Sequence, residues 1–149
     1  MNLPLAEEVA NALIRRFEGL RLRPYLCPAG VPTIGYGATY YENRLRVTLS
    51  DAPITKERAE GLLLWMVKVK YLPSVLMLCP RIREPHRLAA IIDFTFNLGV
   101  NNLRLSTLRR RINADRWGDV PTELLKWVHA GGKELHGLIL RRQAEVDLI

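Results

Sequence analysis

Apolar positions along the chain fall into two regimes. Ala6, Ala10, Leu13, Ile14 and Phe17 recur at helical spacing and predict a helix over 4–17. Pro4 suits its first turn, Glu7 and Glu8 are expected near its positive end, and Gly19 is a natural stop. Between 18 and 40 the pattern breaks. Gly19, Pro24, Pro28, Gly30, Pro32, Gly35 and Gly37 exclude a helix and predict two short strands, 25–27 and 33–36, around a loop at 28–32. Leu45, Val47 and Leu49 alternate with polar residues and predict a third strand.

From Thr55 the helical period returns. Leu62, Trp65, Met66, Val69 and Leu72 share a face, and Pro73 is expected to kink or end this helix. Residues 86–98 are apolar on most sides, which predicts a buried helix ending at Gly99. Shorter helices are expected at 105–113, 120–128 and 135–148, the last two separated by the loop Ala130-Gly131-Gly132-Lys133. A helix, a small sheet and then many helices predict an α+β chain. It reads as a single domain over 1–149, with a small β-containing lobe at about 18–52 and a helical lobe at about 80–149 that includes the N-terminal helix.

Composition narrows the classes. With 149 residues and 48% hydrophobic content the chain can build a core, and disorder is excluded. Two cysteines, Cys27 and Cys79, exclude a disulfide-stapled miniprotein. No run of about 18 apolar residues is apparent, so no membrane-spanning helix and no stable membrane insertion are expected. The N-terminus carries Glu7 and Glu8 and lacks the basic start and apolar stretch of a Sec signal, which predicts synthesis in the cytoplasm. A formal charge of +7 points to a polyanionic partner: nucleic acid, an acidic membrane surface or a cell-wall polymer.

Candidate chemistry centres on Glu18, Cys27 and Thr33. Glu18 follows the first helix, where the negative end of the dipole disfavours a carboxylate and favours a protonated general acid. Cys27 and Thr33 flank the hairpin loop and are expected to face each other, forming a small polar pair near that acid. By residue type alone Glu18 is equally readable as a solvated surface group and Cys27 as a small buried hydrophobe.

The runs Phe17-Glu18-Gly19-Leu20, Pro24-Tyr25-Leu26-Cys27 and Thr33-Ile34-Gly35-Tyr36-Gly37 resemble the phage-type lysozymes, the endolysins of glycoside hydrolase family 24. That family's signature is Glu, eight residues, Asp or Cys, five residues, Thr, and the same spacings separate Glu18, Cys27 and Thr33 here. Phe96-Asn97-Leu98-Gly99, Ser106-Thr107-Leu108, Trp127, Ala130-Gly131-Gly132-Lys133, Gly137-Leu138 and Arg141-Arg142 follow in the family's order. The chain departs from the pattern at Ala38, where His is frequent, and at Leu135-His136-Gly137, where Leu-Pro-Gly is frequent.

The resemblance implies a muramidase that cleaves the β-1,4 bond between N-acetylmuramic acid and N-acetylglucosamine in peptidoglycan. It implies a lysozyme-like fold, with two lobes joined by a long helix and a glycan cleft between them. Glu18 then protonates the leaving oxygen, Cys27 stands where many relatives carry Asp, and Thr33 holds water or Cys27. Asn97 matches a position that lines the cleft, which leaves substrate contact and helix capping open. Trp127 is a core residue or a second glycan contact. The resemblance further implies a monomer without cofactor. It is made in the host cytoplasm and released to the periplasm or wall by a holin-type partner.

Other candidates are weaker. Asp51 reads as a turn residue, Asp93 as a paired structural charge and Cys79 as a buried thiol. His86, His129 and His136 lack metal-ligand spacing, so no metal site is expected. Arg104, Arg109, Arg110, Arg111 and Arg116, with Arg141 and Arg142 further on, form either a solvated helix face or a docking surface for anionic polymers. A lytic transglycosylase on the same bond and a non-catalytic wall-binding protein are the competing functions. Nucleic-acid binding lacks a helix-turn-helix signature or an aromatic stacking platform.

Overall fold

The computed structural model describes residues 1–149. Helix α1 (Leu3–Phe17) begins at Asn2, whose side chain accepts the Leu5 amide at 3.1 Å. Because the helix starts this early, Glu7 and Glu8 lie beyond its first turn and do not serve its dipole as expected. Arg15 and Arg16 sit in the last turn, where cations are favoured, and Glu18 is the C-cap in extended conformation.

Strands β1 (Arg21–Leu26) and β2 (Pro32–Gly35) pair antiparallel, with Tyr25 opposite Thr33 and Leu26 opposite Pro32. A bulge between Arg21 and Tyr25 accommodates Pro24, which has no amide to give a ladder. Cys27 N–H donates to Val31 O at 3.1 Å, and Gly30 N–H to Cys27 O at 2.8 Å, so the hairpin loop keeps five residues, 27–31, one position earlier than the expected 28–32. The predicted third strand does not form. Val47 is buried, but the 45–49 segment contributes only the isolated bridge between Tyr40 and Arg46. Asp51 closes a turn as expected, accepting from Thr48 N–H, Thr48 Oγ1 and Tyr41 Oη.

The helix from Thr55 neither ends nor breaks at Pro73. It runs through Lys56–Leu78 as α2 (Lys56–Met66), a π turn (Val67–Tyr71) and α3 (Leu72–Leu78). The π turn precedes Pro73 directly, and Leu72 N–H donates to Val67 O. A widened turn relieves the clash a proline ring makes with the carbonyl four residues back and absorbs the missing donor. By length and composition this helix is long and apolar enough to cross a membrane, contrary to the sequence expectation. Its apolar side chains instead serve two cores. Leu62 packs with Ile34, Ala38 and Val47 in the β lobe, whereas the neighbouring Leu63 packs with Ala59, Val67 and the residues of α1 and α4 in the main core. Successive residues point about 100° apart on a helix, so one rod joins both lobes.

Helix α4 (Pro85–Leu98) is buried along most of its length and packs chiefly on α1. The expected helix at 105–113 forms as α6 (Thr107–Asn113), where Ser106 caps the start by accepting the Arg109 amide, and a short helix that was not expected, α5 (Val100–Leu105), precedes it. The expected helix at 120–128 shortens to α7 (Val120–Leu124), preceded by a 3₁₀ turn at Trp117–Asp119. The loop at 130–133 closes a small hairpin, β3 (His129–Ala130) with β4 (Lys133–Glu134). Gly131 and Gly132 have φ of 59° and 77°, the two left-handed positions a tight hairpin turn requires. Helix α8 (His136–Val146) then packs on α4 and α7.

Candidate active site

Glu18 sits at the junction of α1 and β1, its backbone N–H donating to Ile14 O at 2.9 Å. Its side chain is partly exposed, and its Oε1 accepts a hydrogen bond from Arg141 Nη1 at 2.8 Å. Arg141, on α8, is 4% exposed and grips the fully buried Asp93 of α4 with a two-pronged contact, Nε to Oδ2 at 3.0 Å and Nη2 to Oδ1 at 2.8 Å. A planar guanidinium matched to a carboxylate in this way has one orientation. Two elements distant in sequence thus hold one oxygen of Glu18, α8 directly through Arg141 and α4 through Asp93. Burial works against the Arg141 cation, but the Asp93 and Glu18 carboxylates outweigh it and hold the proton more firmly than usual.

Behind Arg141 lies a second buried pair. Arg142 Nη2 donates to Glu145 Oε1 at 2.7 Å and to Asn97 Oδ1 at 2.9 Å, and neither Arg142 nor Glu145 is exposed. Burial, with the Asp93 carboxylate beside it, pushes the Glu145 carboxyl well up against the opposing pull of Arg142. Glu145 and Asn97 thus hold Arg142 as Asp93 and Glu18 hold Arg141. Arg141 and Arg142 are therefore internal supports and leave the surface cluster in which the sequence had placed them. Of the remaining arginines, Arg109 ties Leu78 O, Arg111 and Arg116 reach Asp119, and Arg104 and Arg110 are exposed with neutral partners.

Cys27 directly follows β1 and is half-buried. Direct opposition to Thr33 does not occur, since Tyr25 takes that place. Cys27 pairs instead with Val31, two residues before Thr33, so Cys27 and Thr33 are diagonal neighbours on one face. The thiol is drawn below its ordinary value first by the Val31 amide and then, against a smaller burial effect, by the Ala29 amide and the Thr33 hydroxyl. Thr33 has one hydroxyl proton and two sites for it. Its Oγ1 donates to Val31 O at 2.8 Å, and the same hydroxyl is near enough to the Cys27 sulfur to favour its anion.

Tyr25, with Arg21 4.8 Å above its ring, marks how near these groups lie. Its hydroxyl is raised first by burial, is lowered by Arg21, and is raised by both Cys27 and Glu18. No sequence signal separated Tyr25 from an ordinary strand aromatic, and none marked Arg141 beyond its place in the family order.

Asn97 lies at the end of α4. Its carbonyl oxygen is engaged by Arg142, while its amide nitrogen makes no protein hydrogen bond. Trp127 stacks edge-on against Phe94 at 5.4 Å and packs on the main core. Cys79 is fully buried, and burial pushes its thiol up to about 11.

Comparison with known proteins accords with this arrangement. The family model for phage lysozyme matches residues 15–145. An endolysin from Acyrthosiphon pisum secondary endosymbiont phage 1 is 37% identical over 148 residues, covering 95% of this chain and 94% of that one. Among solved structures, an endolysin from Escherichia coli O157:H7 phage FAHEc1 superimposes with a TM-score of 0.81 at 30% identity, covering 99% of this chain and 92% of the other. A P22 lysozyme mutant superimposes with a TM-score of 0.78 at 28% identity, covering 93% of each chain. With the Glu18, Cys27 and Thr33 spacing inside the matched span and the two-lobed lysozyme-like fold around it, the chain belongs to the phage lysozyme family and is a lysozyme-type glycosidase.

Proposed function

We propose that this peptidoglycan-lysing enzyme hydrolyses the β-1,4 bond between N-acetylmuramic acid and N-acetylglucosamine, with Glu18 as general acid and Cys27 and Thr33 as its partners. The observation that carries the reading is the clamp on Glu18. Arg141 occupies Oε1, so the catalytic proton is carried on Oε2. Glu18 delivers it to the leaving glycosidic oxygen as the bond to the anomeric carbon breaks and positive charge builds on the sugar. Cys27, whose sulfur is favoured as an anion by the loop amides, faces that charge. Thr33 orients the Cys27 sulfur or the attacking water through its hydroxyl. Water supplies the hydroxyl of the new reducing end, and its proton restores the acid.

The test is digestion of purified peptidoglycan followed by mass spectrometry of the released muropeptides. Reducing ends are expected. Anhydro ends, lighter by one water, would assign a transglycosylase, and no release at all would leave a wall-binding role. Within the same proposal the chain acts as a monomer, is made in the host cytoplasm and reaches the wall with a holin-type partner. Sedimentation at micromolar concentration checks the first of these, and lysis timing with and without a co-expressed holin checks the last.

A further inference from the structure

Met77 and Leu105 are the two most exposed large apolar side chains of the protein, at 68% and 77%. Met77 lies one residue before the end of α3, and Leu105 is the last residue of α5. One guanidinium joins these two helix ends. Arg109 of α6 donates from Nε to Leu78 O at 2.9 Å and from Nη1 to Arg104 O at 3.3 Å. Asn113 Nδ2 donates to the same Leu78 carbonyl at 2.9 Å. Carbonyls left open at two helix C-termini are thereby satisfied, and the two segments are pinned side by side. A lone exposed apolar residue is ordinary, but these two share one end of the helical lobe.

The charge around them is a second and independent observation. From Leu72 to Ala114 the chain carries seven arginines and two carboxylates, Glu84 and the buried Asp93. Unpaired cations occur elsewhere on the surface, but here they are clustered and held in place by neutral groups. Arg104 donates to Asn101 Oδ1 and Arg110 to Thr107 Oγ1, each at 2.8 Å. Arg83 Nη1 donates to Pro80 O in the turn that follows α3. A guanidinium fixed by neutral acceptors keeps its full charge and retains further N–H donors for an anion.

We infer that this end of the helical lobe docks on the surface of an anionic phospholipid bilayer. Met77 and Leu105 enter the boundary between headgroups and acyl chains, and Arg83, Arg104 and Arg110 meet the phosphates. A soluble polyanion supplies phosphates but no apolar phase for the two side chains. A neutral glycan supplies neither. A bilayer of anionic lipid supplies both within a few ångströms of depth. Two apolar side chains and a few cations give a reversible, peripheral contact, and the interlobe helix keeps its place in the two cores. The β lobe lies toward the other end of that 23-residue helix, about 35 Å away, so docking leaves it free. The inference stands apart from the proposed glycan reading, since none of its residues belongs to the Glu18 site.

Cosedimentation with phosphatidylglycerol vesicles and with phosphatidylcholine vesicles tests it. The protein is expected to bind the first and not the second, and equal binding to both would overturn the inference. Arg104→Gln combined with Arg110→Gln is expected to weaken binding roughly 25-fold, about fivefold for each arginine removed from the lipid surface. Arg16→Gln combined with Lys56→Gln removes the same charge from exposed positions elsewhere and is expected to weaken it far less. Equal losses in the two pairs would assign binding to net charge and overturn the docking surface. Met77→Ser combined with Leu105→Ser is expected to weaken vesicle binding about tenfold and to leave binding to soluble polyphosphate unchanged. If vesicle binding survives that change, the lipid assignment fails and a polyanion site remains. Clearance of purified walls, which contain no lipid, is expected to match the parent in both surface variants. A parallel loss of wall clearance would make a wall polymer the occupant and overturn the proposal. The parent's own wall clearance tests the glycan reading separately.

Discussion

Arg141 Nη1 lies 2.8 Å from Glu18 Oε1, a contact between residues 123 positions apart in the chain. The same guanidinium holds Asp93 through its other two nitrogens, so the catalytic candidate is fixed by a group that is itself fixed. Helix α1 aims Glu18 out of its C-terminus, and α8 and α4 decide which of its oxygens remains free.

Glu18→Gln is expected to remove lytic activity by roughly 10²–10⁴-fold, the range general acid catalysis supplies. The amide still accepts from Arg141 but has no proton to give. From the helix end alone, loss of a carboxylate at the negative pole predicts a gain in stability. The ion pair with Arg141 reverses that sign, and a loss of about 1 kcal/mol is expected. Turbidity clearance of purified walls and a thermal melt check the two parts.

Arg141→Ala is expected to destabilise by about 3–5 kcal/mol, because it leaves Asp93 buried without its cation. Arg141→Lys keeps the charge but loses the two-pronged fit, and is expected to fold with reduced activity. Urea denaturation with parallel kinetics distinguishes them: activity lost in a folded Lys variant assigns Arg141 to positioning Glu18.

Alkylation should separate the cysteines. Cys27 is drawn down by loop amides, whereas burial holds Cys79 up at about 11, so iodoacetamide near pH 7.5 is expected to modify Cys27 first. Modification is expected to stop lysis in the parent and to spare Cys27→Asp, which still contains Cys79. Cys27→Ala is expected to lose most activity and Cys27→Asp to recover much of it. Peptide mapping by mass spectrometry identifies the modified thiol, and full activity in Cys27→Ala would reduce it to packing.

Glu145 carries the clearest pH signature. Its folded carboxyl is raised above its unfolded value by burial, with a further push from Asp93. A raised carboxyl contributes stability that is fully present below the unfolded value of about 4.5 and is lost as pH rises through the folded value. Glu145→Gln keeps an oxygen for Arg142 without the charge. Its unfolding temperature is expected to exceed that of the parent at pH 8, with the difference shrinking toward pH 4.5. A difference constant with pH would show that Glu145 is ionised throughout.

Local chemistry was legible in the sequence wherever a short segment decides its own conformation. Helix α1, the buried helix α4 and the proline- and glycine-rich hairpin follow from periodicity and backbone freedom, and the Glu18, Cys27 and Thr33 spacing follows from the turn that carries them. Where the decision was shared between segments, the sequence was silent or misleading. Leu45, Val47 and Leu49 alternate as a strand does, yet no neighbouring strand offers them a ladder. Pro73 should break a helix, but a π turn and burial against both lobes carry the helix through it. Gly131 and Gly132 announced a loop, and only the pairing of their flanks made it a hairpin. Arg141 and Arg142 looked like members of a surface cluster, since side-chain type reports charge but not depth. Their burial depends on Asp93 and Asn97 arriving from α4 with matched charge and geometry, beside Glu145 one turn along α8. Residue type and spacing determined which groups are proposed to carry the chemistry, and tertiary packing determined which oxygen of Glu18 is held and which is left free.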